Sequence, residues 1–244
     1  MTVFIEHLLG VVSGVLLLAV VVFLLQGSFR KYPLLLLYVA WELFATVGLT
    51  WADQVYNGTA SYTAKTITEG QRLYGHLYYT NDIIVDLLRF LVVTVLTFQA
   101  TPEGPRRRYV GRLLGGVAVF VMAVPLLLFH PTFTPWPSFV WLNSATELLN
   151  FGAAVMNLVL WGTLIASKKR DPQLLTVSAG LGIVVTGAAV SYGLRHFFKP
   201  GVWRNVPDIL LMLTQLAGWT IWCWAFRPQP KPHSAPAEAL PQQP

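Results

Sequence analysis

Apolar side chains along this chain are gathered into long runs separated by short polar stretches. The runs are Leu8–Leu25, Leu34–Trp51, His76–Phe98, Leu113–Phe129, Phe139–Ala166, Leu174–Tyr192 and Val206–Phe226. A helix rises about 1.5 Å per residue, so about 20 apolar residues cross the hydrocarbon of a bilayer. Each run reaches or nearly reaches that length. The third is the least hydrophobic, and the fifth is overlong and fits by tilting. The pattern predicts an all-α integral membrane protein, a seven-transmembrane-helix bundle over residues 1–226. A β-barrel would show short alternating segments instead. The remainder, 227–244, carries six prolines and reads as a disordered cytosolic tail.

Composition agrees with this class. Of 244 residues, 55% are hydrophobic and 11% charged, and mean hydropathy is positive. A soluble domain carries about a quarter charged residues. The net charge of +6 does not point to nucleic acid, because the Lys and Arg lie between apolar runs, as in cytoplasmic loops. The lone cysteine, Cys223, allows no intrachain disulfide and no Cys-based metal site. Met1–His7 has no basic residue and contains Glu6, so the first run reads as a retained helix and not as a signal peptide.

The loops predict orientation. Arg30, Lys31, Arg106, Arg107, Arg108, Arg112, Lys168, Lys169, Arg170, Arg227 and Lys231 fall on one side, eleven residues against the five of Lys65, Arg72, Arg195, Lys199 and Arg204. The richer side is cytosolic, which puts the N-terminus outside and the C-terminus in the cytosol of an inner-membrane, multi-pass protein. The sixth loop, with three basic residues, dissents. Ala52–Gly75 is expected to be the longest loop, on the outside, either capping the bundle or unstructured. Trp51, Tyr56, Trp136, Trp141 and Trp203 outside, with Tyr32, Tyr109, Trp222 and Trp224 inside, read as interfacial aromatic belts. Gly10/Gly14, Gly111/Gly115 and Ser178/Gly182 have small-xxx-small spacing and are expected to serve close packing within the bundle.

Ionisable residues at membrane depth carry the functional information, because they are costly in lipid. Asp82, Asp86 and Arg89 share one helical face at i, i+4, i+7. Asn143, Glu147, Asn150 and Asn157 form a polar stripe on the fifth helix, and Asp208 and Gln215 lie seven apart on the last. Glu42, Asp86 and Glu147 fall near the midplane, with Arg89 about one turn deeper. These residues are expected to converge inside the bundle. One arginine cannot neutralise three carboxylates, so protons or a cationic ligand must share the layer. Two readings stand: an outward-facing polar pocket with Glu42, Asp82, Asp86, Arg89, Asn143, Glu147, Asn150 and Gln215 as ligand-binding residues, or a structural network that holds the helices together.

His7, His76, His130 and His196 map to outer helix ends and His233 to the tail. They open a metal or pH-sensing reading, but no paired histidines lie on one helix, so no metal is assigned. No cofactor is called for either. A Schiff-base lysine is missing from Val206–Phe226, which excludes a retinal protein, and no nucleophile–base constellation can be assembled, so no enzyme activity is expected. The order of elements, with YPLLLLYVAWE in the second helix and the WCWAFRP ending, is similar to uncharacterised bacterial seven-helix proteins and to the seven-helix input modules of bacterial sensor kinases. That resemblance implies a receptor-like or sensory bundle signalling through a separate cytosolic partner. A small-solute or proton-coupled transporter using the midplane carboxylates is the alternative. The expected partners are the lipid bilayer and that cytosolic protein. Oligomeric state is left open.

Overall fold

The computed structural model describes residues 2–57, 64–129, 139–166, 171–197 and 206–228, and every regular element among them is a helix. They are α1 (Thr2–Phe23), α2 (Pro33–Asn57), α3 (Ala64–Ala100), α4 (Pro105–Phe129), α5 (Phe139–Ala166), α6 (Pro172–Phe197) and α7 (Val206–Phe226). A π-helical turn, Leu24–Ser28, ends α1. Proline opens α2, α4 and α6, where its missing N–H costs nothing. At α6 the Asp171 carboxylate accepts the backbone N–H groups of Gln173 at 3.0 Å and Leu174 at 3.2 Å, satisfying two free donors of the first turn.

Six helical stretches are long and apolar enough to cross a membrane: Leu8–Ser28, Pro33–Ala52, Arg72–Ala100, Trp141–Ala166, Pro172–Arg195 and Val206–Phe226. Helices suit that solvent because every backbone group is satisfied within the segment. Buried and half-buried threonines obey the same constraint. On α3, Thr94, Thr97 and Thr101 each donate to the carbonyl four residues back, at 2.8–2.9 Å. The outer surface is apolar, with Phe44, Val119, Phe151, Leu158 and Ile165 all at least 65% exposed. An aqueous monomer rarely shows such a surface. The chain is a multi-pass membrane protein. Helix α4 is not among the six, since arginines occupy its first two turns and its apolar part, Leu113–Phe129, is slightly short.

Packing closes six helices into a ring in the order α1, α2, α3, α5, α6, α7 and back to α1. Helix α3 also touches α6 across the interior, while α4 lies outside the ring against α3 and α5. The tightest approach, α6 on α7, is made by glycines. A Cβ on Gly180 would meet the Trp222 indole, one on Gly218 would lie 3.0 Å from the Gly180 carbonyl, and one on Gly187 would collide with Thr214.

Three expectations need correction. Ala52–Gly75 is not one long loop: α2 runs on to Asn57 and α3 starts at Ala64. Outside the apolar layer helix can continue, and Ala64, Lys65, Glu69, Gln71 and Arg72 are good helix formers. Tyr32 and Trp222 are core residues, 2% and 0% exposed, and not interfacial anchors. Trp222 fills the space above Gly180 and donates its indole N–H to the Val177 carbonyl at 3.0 Å. Trp51, Tyr109 and Trp224 do face outward. Among the small-residue pairs, Gly111 packs on Phe98 and Gly182 on Asn157 and Trp161, but Gly10, Gly14 and Gly115 have open space where a Cβ would be. The Pro-rich tail from position 229, His130, His233, Trp136 and Trp203 lie outside the described residues, and the side chains of His7, Tyr56 and His196 are likewise not described.

Candidate functional site

Helix α3 supplies the floor of a polar interior. Asp86 and Arg89 sit one turn apart on its inner face, 2% and 3% exposed. The Arg89 guanidinium donates Nη1–H to Asp86 at 3.0 Å, Nη2–H to Glu42 of α2 at 2.9 Å and Nε–H to the Tyr38 hydroxyl at 3.0 Å. Tyr38 in turn donates to Glu42 at 3.1 Å. Asn150 of α5 donates to the other Asp86 oxygen at 2.7 Å. Three helices are thus tied by charge-assisted hydrogen bonds around a single guanidinium. In a low-dielectric interior such bonds are strong, and an unmade one is correspondingly costly.

From this floor a cavity of about 870 Å³ runs between α2, α3, α5, α6 and α7 toward the end of the bundle where α6 finishes and α7 begins. Tyr78 lines its outer part and Arg89 its floor. They are eleven residues apart on α3, about 16 Å along the axis. Near the mouth, Arg195 of α6 pairs with Asp208 of α7 at 2.7 Å and lies 4.6 Å from the Tyr192 ring centroid. Between floor and mouth, Asp82 accepts the Tyr192 hydroxyl at 3.1 Å, and the Trp41 indole donates to Asn81 at 3.0 Å.

Of the residues singled out from sequence, Glu42, Asp82, Asp86, Arg89, Asn143 and Gln215 line this cavity. Asn150 stands behind Asp86. Glu147 is not in the Arg89 cluster; it accepts Asn143 Nδ2–H at 2.6 Å on its own helix. The layer around Arg89 therefore holds two carboxylates and not three. The sequence reading missed Tyr38, Tyr78, Tyr79, Asn81, Tyr192 and Arg195 as lining or bonding residues. Tyr38 and Tyr78 each stand four residues before a carboxylate that lines the cavity, Glu42 and Asp82, a spacing that is itself a legible signal. Tyr192 and Arg195 come from a helix with no carboxylate of its own, and nothing local marked them.

Toward the opposite end the interior is apolar. Below Arg89, Leu17, Leu24, Tyr32, Leu35, Val93, Leu181 and Trp222 are each at most 2% exposed. Edge-to-face contacts of Tyr38 with Trp222 and of Tyr32 with Phe226, at 6.0 and 5.7 Å, join α2 to α7 there. At the surface of that end the Lys31 ammonium lies 2.7 Å from Asp171 and 3.3 Å from Gln173. Burial is the largest single influence on Lys31 and works to lower its pKa, but the hydrogen bonds and charges of Asp171 and Tyr32 together outweigh it, and the net direction is upward. For Asp171, burial works upward, and the bonds from Lys31, Leu174 and Gln173 hold the carboxyl below its usual value.

Among the described residues, no group of three or more His, Cys, Asp or Glu side chains is placed to hold a metal ion. Comparison with protein-family models, with curated proteins and with solved structures returns no match.

Proposed function

We propose that this protein is a receptor-like, sensory seven-helix bundle of the inner membrane, with its N-terminus outside and its C-terminus in the cytosol, whose polar cavity takes a small ligand from the outer side and signals through a separate cytosolic partner. One observation carries the reading: a ligand-sized cavity opens at one end of the bundle and stops on the buried Arg89 cluster, while the other half of the interior is filled by apolar side chains. A site that ends blind on a charge network suits binding and response better than passage. Both Tyr38 and Trp222 lie on the route from Arg89 to the far end, so a shift at the floor has side chains through which to reach it. The resemblance of the element order to sensor-kinase input modules supports the same reading by analogy.

Orientation follows from the basic asymmetry of the loops. With α4 counted as a seventh pass, the cavity mouth is on the outer side and Lys31, Arg107, Arg112 and Arg227 are on the cytosolic side. A reporter active only in the cytosol, fused after Pro244, should be active; silence there, with activity of the same reporter inserted between Asn57 and Ala64, reverses the arrangement. The second reading, a small-solute or proton-coupled transporter, draws on the two carboxylates facing one guanidinium, which leave a charge for a proton to neutralise. Proteoliposomes decide between them. The receptor reading expects no movement of protons or of small charged solutes above protein-free vesicles under an imposed gradient. Protein-dependent flux that disappears in Glu42→Gln overturns it in favour of the transporter.

A further inference from the structure

The charges along the cavity do not balance, and the imbalance has a location. Glu42, Asp82, Asp86 and Asp208 face it with four carboxylates, against the two guanidiniums of Arg89 and Arg195. Both guanidiniums are engaged. Arg195 is paired with Asp208, and the three nitrogens of Arg89 go to Tyr38, Asp86 and Glu42. An incoming anion finds its natural partners taken and must approach past carboxylates. Asp82 is different. It lies one turn outward from Asp86, its hydrogen-bond partner among the described residues is the neutral hydroxyl of Tyr192, and it belongs to none of the ion pairs there.

The walls around Asp82 are aromatic. Tyr78 and Tyr79 line the same space with ring centroids 5.7 Å apart, nearly perpendicular, and Tyr192 stands on the facing helix. Aromatic faces attract cations, most strongly where water is excluded. A bare metal ion needs several ligating groups converging within about 2.0–2.6 Å, whereas this site offers one unpaired carboxylate in a space of about 870 Å³. An organic ammonium fits both features. It meets the carboxylate with its charge and the tyrosine rings with its carbon skeleton, and the side-chain amides of Asn143 and Gln215 can hydrogen-bond its polar groups.

We infer that the cavity is a binding site for a small organic cation, a protonated or quaternary amine, with Asp82 as counter-ion and Tyr78 and Tyr79 as its aromatic walls. This rests on the proposed outward pocket, and the test separates the two. Gln215→Cys places a thiol on the cavity wall, and Met212→Cys provides a second position should the first variant fold poorly. The purified full chain in detergent is treated with a cationic thiol reagent, trimethylammonioethyl methanethiosulfonate, and with its anionic counterpart, sulfonatoethyl methanethiosulfonate. Each rate is normalised to that of the same reagent with free mercaptoethanol, and the unsubstituted chain, whose one thiol is Cys223, gives the background. Acidic clefts concentrate counter-ions by about tenfold or more. The cationic reagent is therefore expected to react at least about tenfold faster than the anionic one after normalisation. Asp82→Asn is expected to shrink that ratio severalfold, and tetramethylammonium chloride to protect the thiol where sodium chloride at equal ionic strength does not. Equal or faster labelling by the anionic reagent overturns the cation assignment and leaves the pocket standing. A cationic preference without protection by tetramethylammonium, or one unchanged in Asp82→Asn, also overturns it. No labelling by either reagent at either position removes the accessible pocket itself.

Discussion

The two halves of the bundle interior are built from the same helices but by different means. Toward the mouth, helices meet through hydrogen bonds and ion pairs around a cavity. Toward the other end they meet through Trp222, Tyr32, Leu35 and Leu24, with no exposed side chain among them. The difference lies partly in the glycines. Gly180 and Gly218 let α6 and α7 approach closely in the apolar half, and close contact is what holds helices together where lipid removes the hydrophobic driving force. In the polar half, hydrogen bonds among Arg89, Glu42, Asp86 and Asn150 keep the helices joined although a space lies between them. A site of this kind needs a rigid base, and the packed half supplies it.

The contrast is broken most severely by truncating the apolar half. Trp222→Ala should lower the stability of the detergent-solubilised protein by about 3–5 kcal/mol, because it opens a large void and frees the Val177 carbonyl. Met212→Ala on the cavity wall should cost less than about 1 kcal/mol, since the side chain already borders open space. Equal losses at the two positions in a thermal melt would show that the halves do not differ as described.

A smaller effect tests the polar half. Arg89→Met leaves Glu42 and Asp86 buried without their cation. One-sided loss of a buried pair costs about 3–5 kcal/mol in soluble proteins. Here the expected cost is about 2–3 kcal/mol, because the carboxylates can take up protons. Adding Asp86→Asn should restore part of the loss, whereas Glu147→Gln should behave additively, because Glu147 bonds Asn143 and not Arg89. A double-mutant cycle reads this directly. Additive losses for Arg89 with both Glu42 and Asp86 would dissolve the cluster.

The smallest effect is at the end opposite the cavity mouth. Lys31 and Asp171 are 46% and 40% exposed, so their bridge should contribute at most about 0.5–1 kcal/mol. Its pH sense is fixed by the shifts. Lys31 is raised, so its share is present below the ordinary lysine value and lost as pH climbs through the folded one. Asp171 is lowered, so its share is present above the ordinary carboxyl value and lost as pH falls through the folded one. Between those limits, melts of Lys31→Met and of the unsubstituted chain should stay a constant small interval apart, and added salt should narrow it.

Much of this architecture is legible in the order of residues alone. Membrane character is a sum over composition, and a helix in lipid is close to obligatory, so each of the seven apolar runs marks a helix, although the starts of α1, α3 and α4 and the end of α2 lie six to twelve residues beyond their runs. Facial spacing is equally local, which is why Asp82, Asp86 and Arg89 can be assigned to one face from their numbers. Helix ends beyond the apolar layer are less legible, as Ala64–Gly75 shows, because hydropathy stops being the constraint there. What sequence leaves open is the rotation of each helix about its own axis. That rotation brings Glu42 to Arg89 and turns Glu147 toward Asn143, although both carboxylates lie at similar depth. It puts Trp222 in the core and Trp224 outside, two residues apart on one helix. It also sets Tyr192 and Arg195 across from Asp82. Such pairings are decided by how side chains of different helices fill a shared space, with glycines setting the approach, and no single segment contains that information.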